Sequence, residues 1–132
     1  MKKLVIINVL PQESYHDCHI SGSINVPLDQ IETWAHTIAK DTPIVVYCAS
    51  YVCAASAHAW EKLDAMGFQE VWVFTGGMNE WYHAKLPVEG VCSLPYLVSK
   101  IEQPEEEKKS AIREINLENL KKMMARHEML AE

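Results

Sequence analysis

The sequence lacks a membrane-length apolar run, a C-x-x-C pair, an excess of basic residues, internal repeats, and low-complexity tracts beyond the short charge run Glu105 to Lys109. Each absence narrows the field. Without a long apolar run, neither a spanning helix nor a membrane partner is expected. The opening Met1-Lys2-Lys3-Leu4-Val5-Ile6-Ile7 resembles a secretory signal on the surface. Its apolar run is short, however, breaks at Asn8 and again at Pro11-Gln12-Glu13, and meets no small-residue cleavage site. It reads as a buried strand, and the expected location is the cytoplasm. A formal net charge of −6 argues against a nucleic-acid partner, which needs a basic face. Without C-x-x-C spacing, Cys18, Cys48, Cys53 and Cys92 indicate neither a zinc ribbon nor a thioredoxin motif. The cluster His16-Asp17-Cys18-His19 reads as a polar turn, and no metal or organic cofactor is expected.

What is present suffices for one domain with a real core: 132 residues, 48% of them hydrophobic. Leu4 to Val9, apolar but for Asn8, and Ile44-Val45-Val46-Tyr47 are Val/Ile-rich runs, the pattern of strands buried on both faces. Ile24-Asn25-Val26 and Val71-Trp72-Val73-Phe74 add two more strands. Leu28 to Lys40 has helical apolar spacing at Leu28, Ile31, Trp34, Ala35 and Ile38. Ala54 to Met66 is Ala-rich and helical, with Gly67 placed as its C-cap, and Met78 to Ala84 forms a short helix. Alternating strands and helices predict an α/β fold with a central, mostly parallel sheet covered on both faces. From Gly90 the character changes. Val91 to Val98 is apolar and irregular. Beyond it, Pro104, an acidic run and the stripe Ile112, Ile115, Leu117, Leu120, Met124 and Leu130 predict one long helix, or two with a break near Asn116. The expected division is therefore a domain over residues 1–90 and a mainly helical extension over 91–132.

Cys48 stands where chemistry is expected. In parallel sheets the ligand site lies beyond the carboxyl ends of the strands, and Cys48 follows the strand Ile44 to Tyr47 and precedes the helix from Ala54. Inward-pointing amides of a tight loop and the positive end of the following helix would favour thiolate over thiol. The same cradle can hold the negatively charged terminal sulfur of a persulfide.

The segment Tyr15-His16-Asp17-Cys18-His19-Ile20-Ser21-Gly22-Ser23-Ile24-Asn25-Val26-Pro27-Leu28 resembles the first motif of rhodanese domains. Val45-Val46-Tyr47-Cys48 resembles their strand and nucleophile, and Gly67 to Val71, Thr75 to Trp81 and Leu86-Pro87-Val88 resemble the closing motifs. The likeness spans residues 3–90. It implies a rhodanese-like three-layer sandwich and a sulfurtransferase or persulfide carrier, in which Cys48 takes sulfane sulfur as a persulfide and passes it to a thiophilic acceptor. Cys48 would be the nucleophile, and Ala49, Ser50, Tyr51, Val52 and Cys53 would bind substrate through their amides. The partners implied are a small-molecule or protein sulfur donor and a thiol acceptor. His19 would order its loop rather than take part in catalysis.

The departures are informative. Many relatives carry Arg where Ala49 and Cys53 stand, Asp and Arg where Asn8 and Leu10 stand, and Gly where Cys18 stands. A loop without fixed cations makes the dianion thiosulfate a poor donor, so a neutral or protein-bound persulfide is expected. Cys53 is either a resolving thiol for Cys48 or a small apolar residue at a helix start. Trp34 and Trp81 read as core, and His58 as a residue facing away from the site. A cysteine phosphatase or arsenate reductase needs C-x5-R, and Ala54 stands at that position. The other alternative is a non-catalytic binding or redox-sensing module. The apolar stripe of the tail has as destinations its own domain, or else a partner: a second copy in a homodimer or a sulfur acceptor.

Overall fold

The computed structural model describes residues 3–50, 53–100 and 112–127. Five parallel strands form the central sheet in the order β3 (Ile24–Asn25), β1 (Val5–Asn8), β4 (Ile44–Tyr47), β5 (Val71–Phe74) and β7 (Glu114–Ile115). A small antiparallel ribbon, β2 (His19–Ile20) with β6 (Val88–Glu89), closes one side, pairing His19 with Glu89 and Ile20 with Val88.

Side chains alternate across a strand, and the run of consecutive apolar residues in β1 and β4 supplies both faces of the sheet. Ile6, Val45, Tyr47 and Phe74 enter one core with Met78, Trp81, Leu97 and Leu120. Ile7, Ile44, Val46 and Val73 enter the other with Ile31, Ala59, Trp60 and Leu63. The second face is covered by α2 (Ile31–Ala35) and α3 (Ala55–Ala65), the first by α4 (Gly77–His83) and α5 (Leu117–Arg126). The result is the expected three-layer α/β sandwich. α1 (Gln12–Asp17) lies between β1 and β2. Gly67, at φ +96°, ends α3 in the left-handed conformation a C-cap uses.

Two expectations change. The helix read over Leu28 to Lys40 is a 3-10 turn, Leu28–Gln30, followed by the short α2; three-residue turns take over after Ala35, where Ile38 N–H donates to Ala35 O at 3.1 Å. In the extension, Ile115 is not helical but joins the edge of the sheet, opposite Phe74. Asn116 then caps α5, its Oδ1 accepting from Asn119 N–H at 2.9 Å, so the break near Asn116 separates a strand from a helix. Leu120, Met123 and Met124 on α5 are buried against the chain's own sheet. Pro104, the charge run Glu105 to Lys109 and Leu130 lie outside the described residues.

The start of the extension is fastened to the first motif. Cys18 and Cys92 are paired in a disulfide with their Cα atoms 4.5 Å apart. The Asp17 carboxylate accepts from Ser93 N–H (3.0 Å), Ser93 O–H (2.7 Å) and Leu94 N–H (3.2 Å), and Asp17 O accepts from Cys92 N–H at 2.7 Å. Cys92 sits at φ +55°, a left-handed backbone that a non-glycine residue keeps only when its neighbours enforce it.

Candidate active site around Cys48

β4 runs through the middle of the sheet and ends at Tyr47, so Cys48 emerges at the carboxyl edge of the most protected strand. The residue is 1% exposed. Its sulfur is paired with that of Cys53, with a Cα separation of 6.4 Å, within the range a disulfide spans. Cys53 is half-buried, and its N–H donates to Ser50 O at 3.1 Å, closing the loop into a turn. That amide is therefore used within the loop rather than aimed at the sulfur. Ala49 and Ser50 are half-buried and follow Cys48 directly, while Tyr51 and Val52 lie outside the described residues.

Two further elements hold the loop. Met78 N–H donates to Cys48 O and Asn79 N–H to Ala49 O, both at 2.8 Å, so the first turn of α4 grips the base of the loop. The approach is close enough to require glycine. At Gly77, φ is +63°, and a Cβ would stand 2.5 Å from Cys48 O. From the other side, Ser56 Oγ lies 3.5 Å from Cys48 Sγ. With the sulfur bonded to Cys53, the proton in that contact is the serine's, so Ser56 donates to sulfur. α3 starts at Ala55, which brings its positive end beside the same loop.

Tyr47 orients the strand end from below. Its hydroxyl accepts from Asn8 Nδ2 (3.1 Å) and Ile20 N–H (3.0 Å) and meets Ser23 Oγ at 2.9 Å. Burial pushes this phenol up to about 12, against the opposing pull of those hydrogen bonds. Asn8 is fully buried and spends Oδ1 on Leu10 N–H at 2.9 Å. His19 donates from Nδ1 to Tyr15 O (2.8 Å), stacks on the Tyr15 ring at 3.8 Å and meets Glu89 at 3.3 Å, which holds the loop in place away from Cys48. His58 is exposed and pairs with Glu61 at 3.8 Å. Trp81 is core, its Nε1–H donating to Pro87 O at 2.8 Å.

Beside the loop, at the carboxyl ends of β1 and β3, lies a groove of about 530 Å³. Its walls are Val9, Leu10, Pro27, Leu28 and Ala55, and its charged members are Asp29 and Lys62. Lys62 is paired with Glu32 at 3.7 Å. The site is thus apolar, with no unbalanced cation among these lining residues.

Sequence reasoning missed Ser56, Asn79 and the Cys18–Cys92 pair. The signal for Ser56 was available: Ser56, Ala59, Trp60 and Leu63 form the buried stripe of α3, and a hydroxyl in an apolar stripe needs a partner.

The fold has parallels among known proteins. The chain is 29% identical over 80 residues to the thiosulfate sulfurtransferase GlpE of Coxiella burnetii, covering 61% of this chain and 73% of that one. It is 32% identical over 87 residues to an HTH-type transcriptional regulator of Mycobacterium tuberculosis, covering 66% of this chain and 38% of the regulator. A solved rhodanese-like domain from Anabaena superposes with a TM-score of 0.60 at 28% identity, covering 65% of this chain and 98% of that domain. The family model for the rhodanese-like domain matches residues 1–84, from the first strand through the end of α4. A cysteine at the tip of the central strand, a loop gripped by α4 and this match together make the chain a member of the rhodanese-like family.

Proposed function

We propose that the protein is a sulfurtransferase or persulfide carrier in which Cys48 takes sulfane sulfur as a persulfide and yields it to a thiophilic acceptor, with Cys53 as resolving thiol. The observation that carries the reading is the setting of Cys48 at the carboxyl end of β4, with the Ser56 hydroxyl 3.5 Å from its sulfur and able to donate once that sulfur is anionic. A hydrogen bond to an anionic sulfur is worth more than one to a neutral group, so the contact favours the thiolate that attacks and the persulfide that results. The name of the Coxiella relative supports the same chemistry.

The donor is a neutral or protein-bound persulfide rather than thiosulfate. Ala49 and Cys53 supply no cation, and Lys62 is already balanced by Glu32. The setting proposed is the cytoplasm, where the Cys48–Cys53 pair can be reduced and the Cys18–Cys92 bond persists only if the fold protects it. Self-association through the C-terminal helix is a separate proposal, checked by light scattering. It must use a surface other than Leu120, Met123 and Met124, which are already covered.

The test is thiocyanate formation from cyanide with glutathione persulfide as donor. Wild-type protein turns over, and Cys48→Ser does not. Equal rates in the two proteins, or efficient turnover of low millimolar thiosulfate, would contradict the respective parts of this reading. A redox-sensing module is the second reading, favoured by the Cys48–Cys53 pair itself. It requires the disulfide to form with peroxide while no thiocyanate is made.

A further inference from the structure

Resting on the persulfide reading above, we infer that the Cys48–Cys53 pair gives the loaded sulfur a second exit, as hydrosulfide, and that the co-substrate is a dithiol that attacks Cys53. The observation is the pairing itself: the loop brings the Cys53 sulfur onto Sγ of Cys48, the inner sulfur of a Cys48 persulfide.

The step is a thiol–disulfide exchange within one chain. The Cys53 sulfur attacks Cys48 Sγ, the bond from Sγ to the terminal sulfur breaks, and the Sγ–Sγ bond forms. The terminal sulfur leaves with the electron pair and takes up the proton that Cys53 gives up, so it departs as hydrosulfide. That sulfur is reduced by two electrons, and the two cysteine sulfurs are oxidised by one each. A dithiol then returns both cysteines to thiols and becomes a disulfide. The net reaction converts one sulfane sulfur and one dithiol into hydrosulfide and one disulfide.

The structure also assigns the site of the second attack. Cys48 is 1% exposed, whereas Cys53 is only half-buried. The incoming thiolate therefore bonds to Cys53 and expels Cys48, whose leaving thiolate is met by the Ser56 hydroxyl. The mixed disulfide sits on Cys53. In the apolar groove that reaches Ala55, Lys62 is balanced by Glu32 and the remaining charge is the Asp29 carboxylate, so the groove suits a dithiol without a strong negative charge of its own.

Reduced wild-type and Cys53→Ser proteins are loaded with glutathione persulfide and followed by a sulfide electrode and intact mass. The wild type should release one hydrosulfide per chain in excess of the variant and finish two hydrogens lighter than its reduced form. Cys53→Ser should keep the added sulfur. If both proteins keep it, the second exit is overturned while the persulfide reading stands. If neither gains sulfur, both fall together. Oxidised wild type is then pulsed with glutathione and quenched with an alkylating agent. Fragment masses should place glutathione on Cys53 and the alkyl group on Cys48. The reverse assignment would overturn the proposed point of attack.

Discussion

Ser56 Oγ lies 3.5 Å from Cys48 Sγ, the two side chains meeting from the first turn of α3 and the end of β4. Neither is exposed, so water does not replace the serine hydroxyl easily. A hydrogen bond to a charged group contributes about 1.5 kcal/mol, roughly a factor of ten in the balance between thiolate and thiol. In a Cys53→Ser background, Ser56→Ala should slow alkylation of Cys48 at neutral pH about tenfold. An unchanged rate would remove Ser56 from the site.

Gly77 is the position where the backbone leaves no choice. An alanine there would place its Cβ against Cys48 O and force an L-residue to φ +63°. The conformational part alone costs about 1–2 kcal/mol, and displacing the loop adds to it. Gly77→Ala should lower unfolding stability in urea by about 2 kcal/mol or more and reduce sulfur transfer. Retention of both would mean that α4 does not grip the loop as described.

The Cys18–Cys92 bond spans 74 residues, so its loss frees a long loop in the unfolded chain. Loop-closure entropy sets the expected effect of Cys92→Ser near 4 kcal/mol, measured in a Cys48→Ser/Cys53→Ser background so that this is the one cysteine pair left to change. Asp17 works beside it. Its hydrogen bonds to Ser93 hold the carboxyl below its ordinary value of 3.8. A carboxylate depressed in the folded state adds stability that is complete above that ordinary value and disappears as pH falls through the lower folded one. Asp17→Asn should therefore flatten the loss of thermal stability on acidification below pH 3.8.

Tyr47 makes the opposite pH prediction. Its phenol stays neutral in the folded state up to about 12 against an ordinary 10.0. The folded protein then holds a proton that the unfolded chain has released, so stability falls as pH rises from 10.0 towards 12. Tyr47→Phe should shrink that fall. At neutral pH the same change leaves Asn8 Nδ2 and Ile20 N–H without their partner, which costs about 1–3 kcal/mol in urea unfolding.

The parts that were legible in the sequence carry strong local signals. The Val/Ile-rich runs Leu4 to Val9, with Asn8 its one polar residue, and Ile44 to Tyr47 are short and bounded by turn residues, the pattern of strands buried on both faces. The order strand, cysteine, loop, helix by itself places Cys48 at the carboxyl edge of the sheet. What escaped was set by distant partners. β7 pairs two residues with Val73 and Phe74, and two residues show no periodicity to read. Ile115 looked like part of a helical stripe because its neighbours Leu117 and Leu120 are on one. The bond from Cys18 to Cys92 depends on how β6 returns beside β2, which spacing alone does not encode. The helix over Leu28 to Lys40 was too long because apolar spacing registers burial and says nothing of the turn chemistry after Ala35.

The most direct measurement is the intact mass of reduced Cys53→Ser protein after exposure to glutathione persulfide and removal of the donor. The variant should gain one sulfur atom, mapped to the peptide containing Cys48, and the Cys48→Ser/Cys53→Ser protein should gain none. No gain in the first protein, or an equal gain in the second, would contradict Cys48 as the sulfur carrier.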